Sequence, residues 1–167
     1  MSTKALMVID VQKDVVANAL NTASVVANIN TLVAKARAAG VPVIWVQHSD
    51  DYLEKGSAGW QFVDELKPAD DEVRIYKTQP SSFEDTDLAA QLERLGTKEL
   101  VVTGAQTDYC INATTNDAAG RGFDVTLVSD AHTTEDSPAE TAEEIIRTKN
   151  VSFSALGQVE ITGNLTF

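Results

Sequence analysis

With one cysteine and two histidines in 167 residues, this chain has few side chains suited to nucleophilic or proton-transfer chemistry. Cys110 sits in "GAQTDYCINAT", after an apolar run and a glycine and at the start of a segment with helical character. A lone cysteine is often an inert core filler. At a helix start, however, unpaired N–H groups and the helix dipole lower a thiol pKa and can hold an oxyanion. Asp10 ends the apolar run "ALMVI", either as a turn carboxylate or, partly desolvated, as a general base. Lys77 closes "EVRIYK", as a solvated lysine or as the partner of a thiolate. His48, with Asp50 or Asp51, offers at most a weak metal site, and a satisfied polar contact is the simpler expectation. His132 in "SDAHTT" reads as a loop histidine bonded to backbone. No G-x-G-x-x-G follows the first run, no P-loop occurs, and no arginine closely follows "CINATT", so nucleotide and phosphate-ester chemistry lose support.

The elements that must position these groups alternate between two periods. "ALMVID", "VPVIWVQ", "EVRIYK", "ELVVTG" and "FDVTLVSD" are apolar runs of strand length, and "GQVEIT" is a possible sixth. Between them, Val25, Ile29, Leu32, Val33 and Ala36 recur at helical spacing before Gly40. Leu88, Leu92 and Leu95 do so before Gly96. Helices are also predicted from Cys110 to Arg121 and over "SPAETAEEIIRTKN". Strands alternating with helices imply one doubly wound α/β domain over residues 1–167, a three-layer sandwich on a mostly parallel sheet of five to six strands. Ligands of such sheets sit beyond the carboxyl ends of the strands. Asp10, Gln47–His48, Lys77, Gly104 to Cys110 and Asp130 to His132 would then converge on one edge.

The 13 Lys+Arg against 25 Asp+Glu give a net charge of −12, which disfavours nucleic acid and anionic membranes as partners. One cysteine excludes an internal disulfide framework. The first twelve residues hold neither a signal-peptide apolar region nor a membrane span, so a cytoplasmic protein is expected.

"VIDVQ" at 8–12, "YKTQPSSFEDTDL" at 76–88 and "GAQTDYCINATTNDAAGRGFDVTLVSDAHTT" at 104–134, in that order, resemble the isochorismatase-like cysteine hydrolases. "WVQHSD" and "GSAGWQF" look closest to their streptothricin-hydrolase-like group. The resemblance runs from about residue 4 to residue 149 and implies a triad of Asp10, Lys77 and Cys110. Asp10 would take the thiol proton and pass it to the leaving amine, Lys77 would hold the thiolate, and Cys110 would attack an amide carbonyl. It also implies a cis peptide at Ala105–Gln106, aiming the Gln106 N–H beside the Cys110 N–H at the oxyanion. No cofactor is expected. The nicotinamidases of this family hold a metal with an Asp and two His, whereas only His48, Asp50 and Asp51 are available here, so no catalytic metal is expected. Many relatives carry an aromatic residue where this chain has Val15, which loosens one pocket wall. Relatives that cleave the vinyl ether of isochorismate lack the cysteine, so Cys110 favours C–N cleavage. Val15, His48, Trp60 and Tyr109 are the expected pocket residues, and Phe83 is expected to pack. A small-molecule amide substrate and a homo-oligomer, dimer or higher, are implied. A catalytically silent binding module and an ether hydrolase stay open as alternatives.

Overall fold

The structure, a computed structural model, describes residues 3–167. Six strands form one sheet in the order β3-β2-β1-β4-β5-β6, and every pairing is parallel. They are β1 (Lys4–Ile9), β2 (Val43–His48), β3 (Val73–Lys77), β4 (Glu99–Ala105), β5 (Asp124–Thr133) and β6 (Gln158–Glu160). Four α-helices connect them: α1 (Thr22–Ala38), α2 (Leu88–Leu95), α3 (Asn112–Gly120) and α4 (Ala142–Phe153). The order reverses between β1 and β4, so the crevice at their carboxyl ends is the topological switch point.

Alternation along β1 explains its unbroken apolar run. Leu6 and Val8 enter one core with Ile29 and Leu32 of α1, while Met7 and Ile9 enter a second core with Leu88 and Leu92 of α2 and Phe153 of α4. A strand clad on both faces has no solvent side on which to place polar residues. Leu95, expected on the apolar face of α2, is partly exposed, because the helix ends there and turns away through Gly96 at φ 67°. Phe83 does pack, buried and stacked on Phe123 with ring centroids 5.9 Å apart.

Three boundaries differ from the sequence expectation. The helix at the cysteine starts earlier, as a π-helical turn over Thr107–Ile111 that continues into α3. The last helix starts at Ala142 rather than near Ser137. There, Thr141 and Glu144 form a reciprocal capping box, whereas Ser137 Oγ accepts from Ala139 N and Glu140 N in a local turn. β5 runs on to Thr133, with a register irregularity against β4 between Val102 and Gly104. Asp130 and His132 therefore do not join the site edge. The Asp130 carboxylate accepts from Thr162 N and Oγ1, at 2.8 and 2.7 Å, and His132 is buried within the strand.

Candidate active site

The first group at the crevice is Asp10, which follows β1 in a left-handed conformation (φ 53°) and is 1 % exposed. Its strand is approached by Gly104 of β4, where any Cβ would run into the Ile9 backbone and where φ is 124°. Only glycine allows both the close approach and the dihedral. This brings the β4 turn, with its cis Ala105–Gln106 peptide, against the end of β1. The Gln106 side chain then reaches across to the Val15 carbonyl, donating at 3.0 Å.

Lys77 arrives from β3, two strands away, and its side chain is fully buried. Its Nζ lies 3.0 Å from Gln79 O, 3.0 Å from His48 Nδ1, 3.1 Å from Cys110 Sγ and 2.9 Å from Asp10 Oδ2. An ammonium has three N–H groups. They serve Gln79, His48 and Cys110, and the Asp10 carboxylate is held by charge, with neither oxygen in an aligned hydrogen bond. Since Nζ has no lone pair, His48 Nδ1 is the acceptor, and Nε2–H points at Asp50 Oδ2, 3.0 Å away. Asp50 is anchored in turn by Tyr52 N and Leu53 N, which hold its carboxyl below the usual range together with His48.

The electrostatics correct one expectation. Burial, and then the neighbouring Asp10 charge, push the Cys110 thiol up to about 12, outweighing Lys77, so the site does not hold the lowered thiol pKa expected of a helix start. Burial also raises the Asp10 carboxyl despite Lys77. Lys77 is raised as well: burial pulls it down, but the charges of Asp10 and Cys110 together prevail. A neutral thiol beside a carboxylate of increased basicity and a fixed ammonium is the resting state these shifts describe.

Ligand atoms of Asp10, His48 and Cys110 lie within 4.8 Å of one another, close enough to suggest a metal cluster. The Lys77 ammonium contacts the same three side chains, at 2.9, 3.0 and 3.1 Å, so the cluster already surrounds a positive charge. A divalent ion would have to displace it, and the residues present do not fit one. Asp51 is exposed and takes no part.

A cavity of about 470 Å³ opens over the thiol, lined by Asp10, Val15, His48, Gln106, Tyr109 and Cys110 among others. Three of the expected wall residues, Val15, His48 and Tyr109, are there. Trp60 is not: it is 9 % exposed, stacks on Tyr76 with centroids 5.8 Å apart, and offers its carbonyl to Gln12 and Gln47. It supports the wall from behind.

Other residues of the site escaped sequence reasoning. Gln12 is wholly buried, donates to His48 O and Trp60 O at 2.9 Å and accepts from His48 N at 2.8 Å, so it pins the end of β2. Its signal was a glutamine closing "VIDVQ", where nothing polar is needed for packing alone. Thr107, the first residue of the turn that carries Cys110, is fixed by His132 Nδ1 at 2.8 Å, and His132 Nε2 meets Asn150 Oδ1 at 2.7 Å. Burial presses His132 down to about 4. Asp14, Tyr52 and Glu135 also line the cavity and carry no local sequence signal.

The isochorismatase domain family matches residues 4–154. A secreted isochorismatase effector of Verticillium dahliae is 32% identical over 149 residues, covering 85% of this chain and 78% of that protein. Streptothricin hydrolase of Streptomyces noursei is 34% identical, covering 81% of this chain and 51% of its own length. A ureidoacrylate amidohydrolase of Klebsiella pneumoniae is 33% identical over 58% of this chain and 54% of that protein. This chain thus spans about half the length of each of the latter two. The crystal structure of an isochorismatase from Pseudomonas putida superimposes with a TM-score of 0.91 at 28% identity, covering 98% of this chain and 90% of that one. By family match, relatives and fold together, this chain belongs to the isochorismatase family of hydrolases.

Proposed function

We propose that this chain is a cysteine-dependent amidohydrolase that cleaves the C–N bond of a small non-peptide amide or lactam through an acyl-enzyme on Cys110. One observation carries the reading: a single buried ammonium, Lys77 Nζ, lies 2.9 Å from Asp10 Oδ2 and 3.1 Å from Cys110 Sγ at the floor of an open cavity. Names among the relatives, a streptothricin hydrolase and a ureidoacrylate amidohydrolase, support the same bond type.

Asp10 takes the proton of the Cys110 thiol, and Lys77 stabilises the thiolate so formed. The sulfur attacks the amide carbonyl, and the N–H groups of Gln106 and Cys110 receive the oxyanion. Asp10 then returns its proton to the departing nitrogen as the C–N bond breaks, leaving a thioester and a free amine. Water attacks the thioester, giving its proton to Asp10. Collapse expels the thiolate, which is reprotonated, and the acid half leaves. Asp10 carries each proton, from the thiol to the departing nitrogen and from water back to the thiolate, while Lys77 stays charged, so the buried site never gains net charge. No cofactor or metal enters the scheme.

A screen of small amides and lactams for released amine, run with the parent, Cys110→Ser and Asp10→Asn proteins, tests it. The expected result is release by the parent alone. Full activity of Cys110→Ser on the best substrate would exclude a thiol route.

A further inference from the structure

Above the buried Lys77 ammonium, the charged residues that line the cavity all have one sign. Besides Asp10 at the floor, the lining includes Asp14, Asp50 and Glu135 and contains neither lysine nor arginine. Asp50 is occupied by two backbone N–H groups and His48. Asp14 and Glu135 are different, because their side chains have no hydrogen-bond or ion-pair partner among the described residues, although surface carboxylates elsewhere on the chain do. Asp14 is also seated rather than adrift: its N–H donates to Gly59 O at 3.0 Å, and its carboxylate lies where any side chain at Gly59 would stand. At the floor, Asp10 is 1 % exposed, lines the cavity and leaves Oδ1 without a hydrogen bond. Tyr52 and Tyr109, 98 % and 62 % exposed, add aromatic surface to the same opening. Unpaired carboxylates beside aromatic faces form an environment for an organic cation, which gains from both. They also oppose entry of a carboxylate-bearing substrate, so they select as well as attract.

We propose that the substrate is a cationic amide, carrying a primary ammonium or guanidinium group that sits between Asp14 and Glu135 while its carbonyl reaches Cys110. This rests on the amidohydrolase reading for the identity of the reacting bond, but the charge preference of the cavity stands by itself and is measured separately. Asp14 and Glu135 are specificity-determining residues in this scheme, not participants in bond cleavage.

Cys110 is the sole thiol, so its modification reports on this cavity alone. Methanethiosulfonates with 2-ammonioethyl, methyl and 2-sulfonatoethyl groups are compared at low salt, each rate divided by that for free 2-mercaptoethanol. The cationic reagent is expected to lead the anionic one by roughly tenfold or more, within the range that focused fields produce. The lead should shrink at least about threefold in Asp14→Asn/Glu135→Gln and on raising salt. A control pair at the opposite sheet edge, Glu93→Gln/Asp124→Asn, makes the same change in net charge and should leave the lead intact. An equal or faster anionic reagent would overturn the proposal, as would a lead that the two double variants reduce alike. Should the thiol resist every reagent, calorimetry on Cys110→Ala decides with 5-aminopentanamide, hexanamide and adipamate. The proposal requires the first to bind most tightly and to lose that advantage with Asp14→Asn/Glu135→Gln. An amide screen without turnover, beside a retained cationic preference, would defeat the amidohydrolase reading and leave the charge preference of the cavity standing.

Discussion

The floor and the rim of the cavity are built on opposite principles. At the floor, Asp10 and Lys77 at two strand ends and Cys110 in the turn after a third are gathered around one buried ammonium, which also binds Gln79 and His48. At the rim, Asp14, Tyr52, Tyr109 and Glu135 stand on loops and on the first turn of a helix and face solvent. A dry, closed floor strengthens each charge and fixes proton-transfer geometry. A wet rim with unpaired groups can change residue by residue without disturbing the fold. On the proposed function, the reaction is set by the sheet and the choice of substrate by what the loops carry past it.

The largest effect that would break this division lies at the floor. Cys110→Ala should lower amide turnover by on the order of 10³-fold or more while a folded protein remains, checked by kcat/KM and circular dichroism. Retention of turnover would move the chemistry elsewhere. Asp10 sharpens the point through pH. Because burial raises its carboxyl, the acid limb of kcat/KM should fall at a pH above the ordinary 3.8 of an aspartate, and Asp10→Asn should abolish turnover rather than shift that limb.

The support beneath the floor should show in stability. His132 is held near 4 in the folded protein against 6.5 unfolded, so between those values the unfolded chain binds more protons. Stability is then full above about pH 6.5 and falls as pH drops toward 4. The loss is on the order of 3 kcal/mol, read by urea denaturation at a series of pH values. His132→Gln, which removes the titrating ring, should flatten that window. Gln12→Ala takes the side-chain partner from His48 N and O and one of the two donors from Trp60 O, which keeps Gln47, and should cost roughly 2–3 kcal/mol, measured the same way. The smallest effect belongs to the rim: Gly59→Ala forces the Asp14 carboxylate to move and should weaken selection for cationic amides by a fewfold in KM, with kcat and folding little changed.

Much of the floor was legible because it coincides with strand ends. An apolar run that stops at Asp10, Lys77 or the "GAQTDYC" turn marks its own carboxyl edge, and a parallel sheet brings those edges together. What misled was local reading of sites governed by neighbours. The helix start at Cys110 suggested a lowered thiol pKa, yet burial and Asp10 decide the sign. Asp130 and His132 looked like strand-end groups because "FDVTLVSD" turns polar, yet β5 continues beneath the turn that carries Cys110, where Thr107 and Asn150 satisfy the histidine. Trp60 was expected in the pocket wall, and Tyr76 and the buried Gln12 hold it inward instead.

The sequence by itself determined the alternation of strand and helix, the two-faced burial of the sheet and the kinds of groups at its edge, since period and apolar length are local properties. Only the tertiary structure decided that one ammonium serves Asp10, His48 and Cys110 together. It alone decided that Gln12 and His132 brace the site from below, and that Asp14 and Glu135 are left unpaired above the thiol. Those relations depend on distances between strands and loops far apart in the chain, which no window of residues contains.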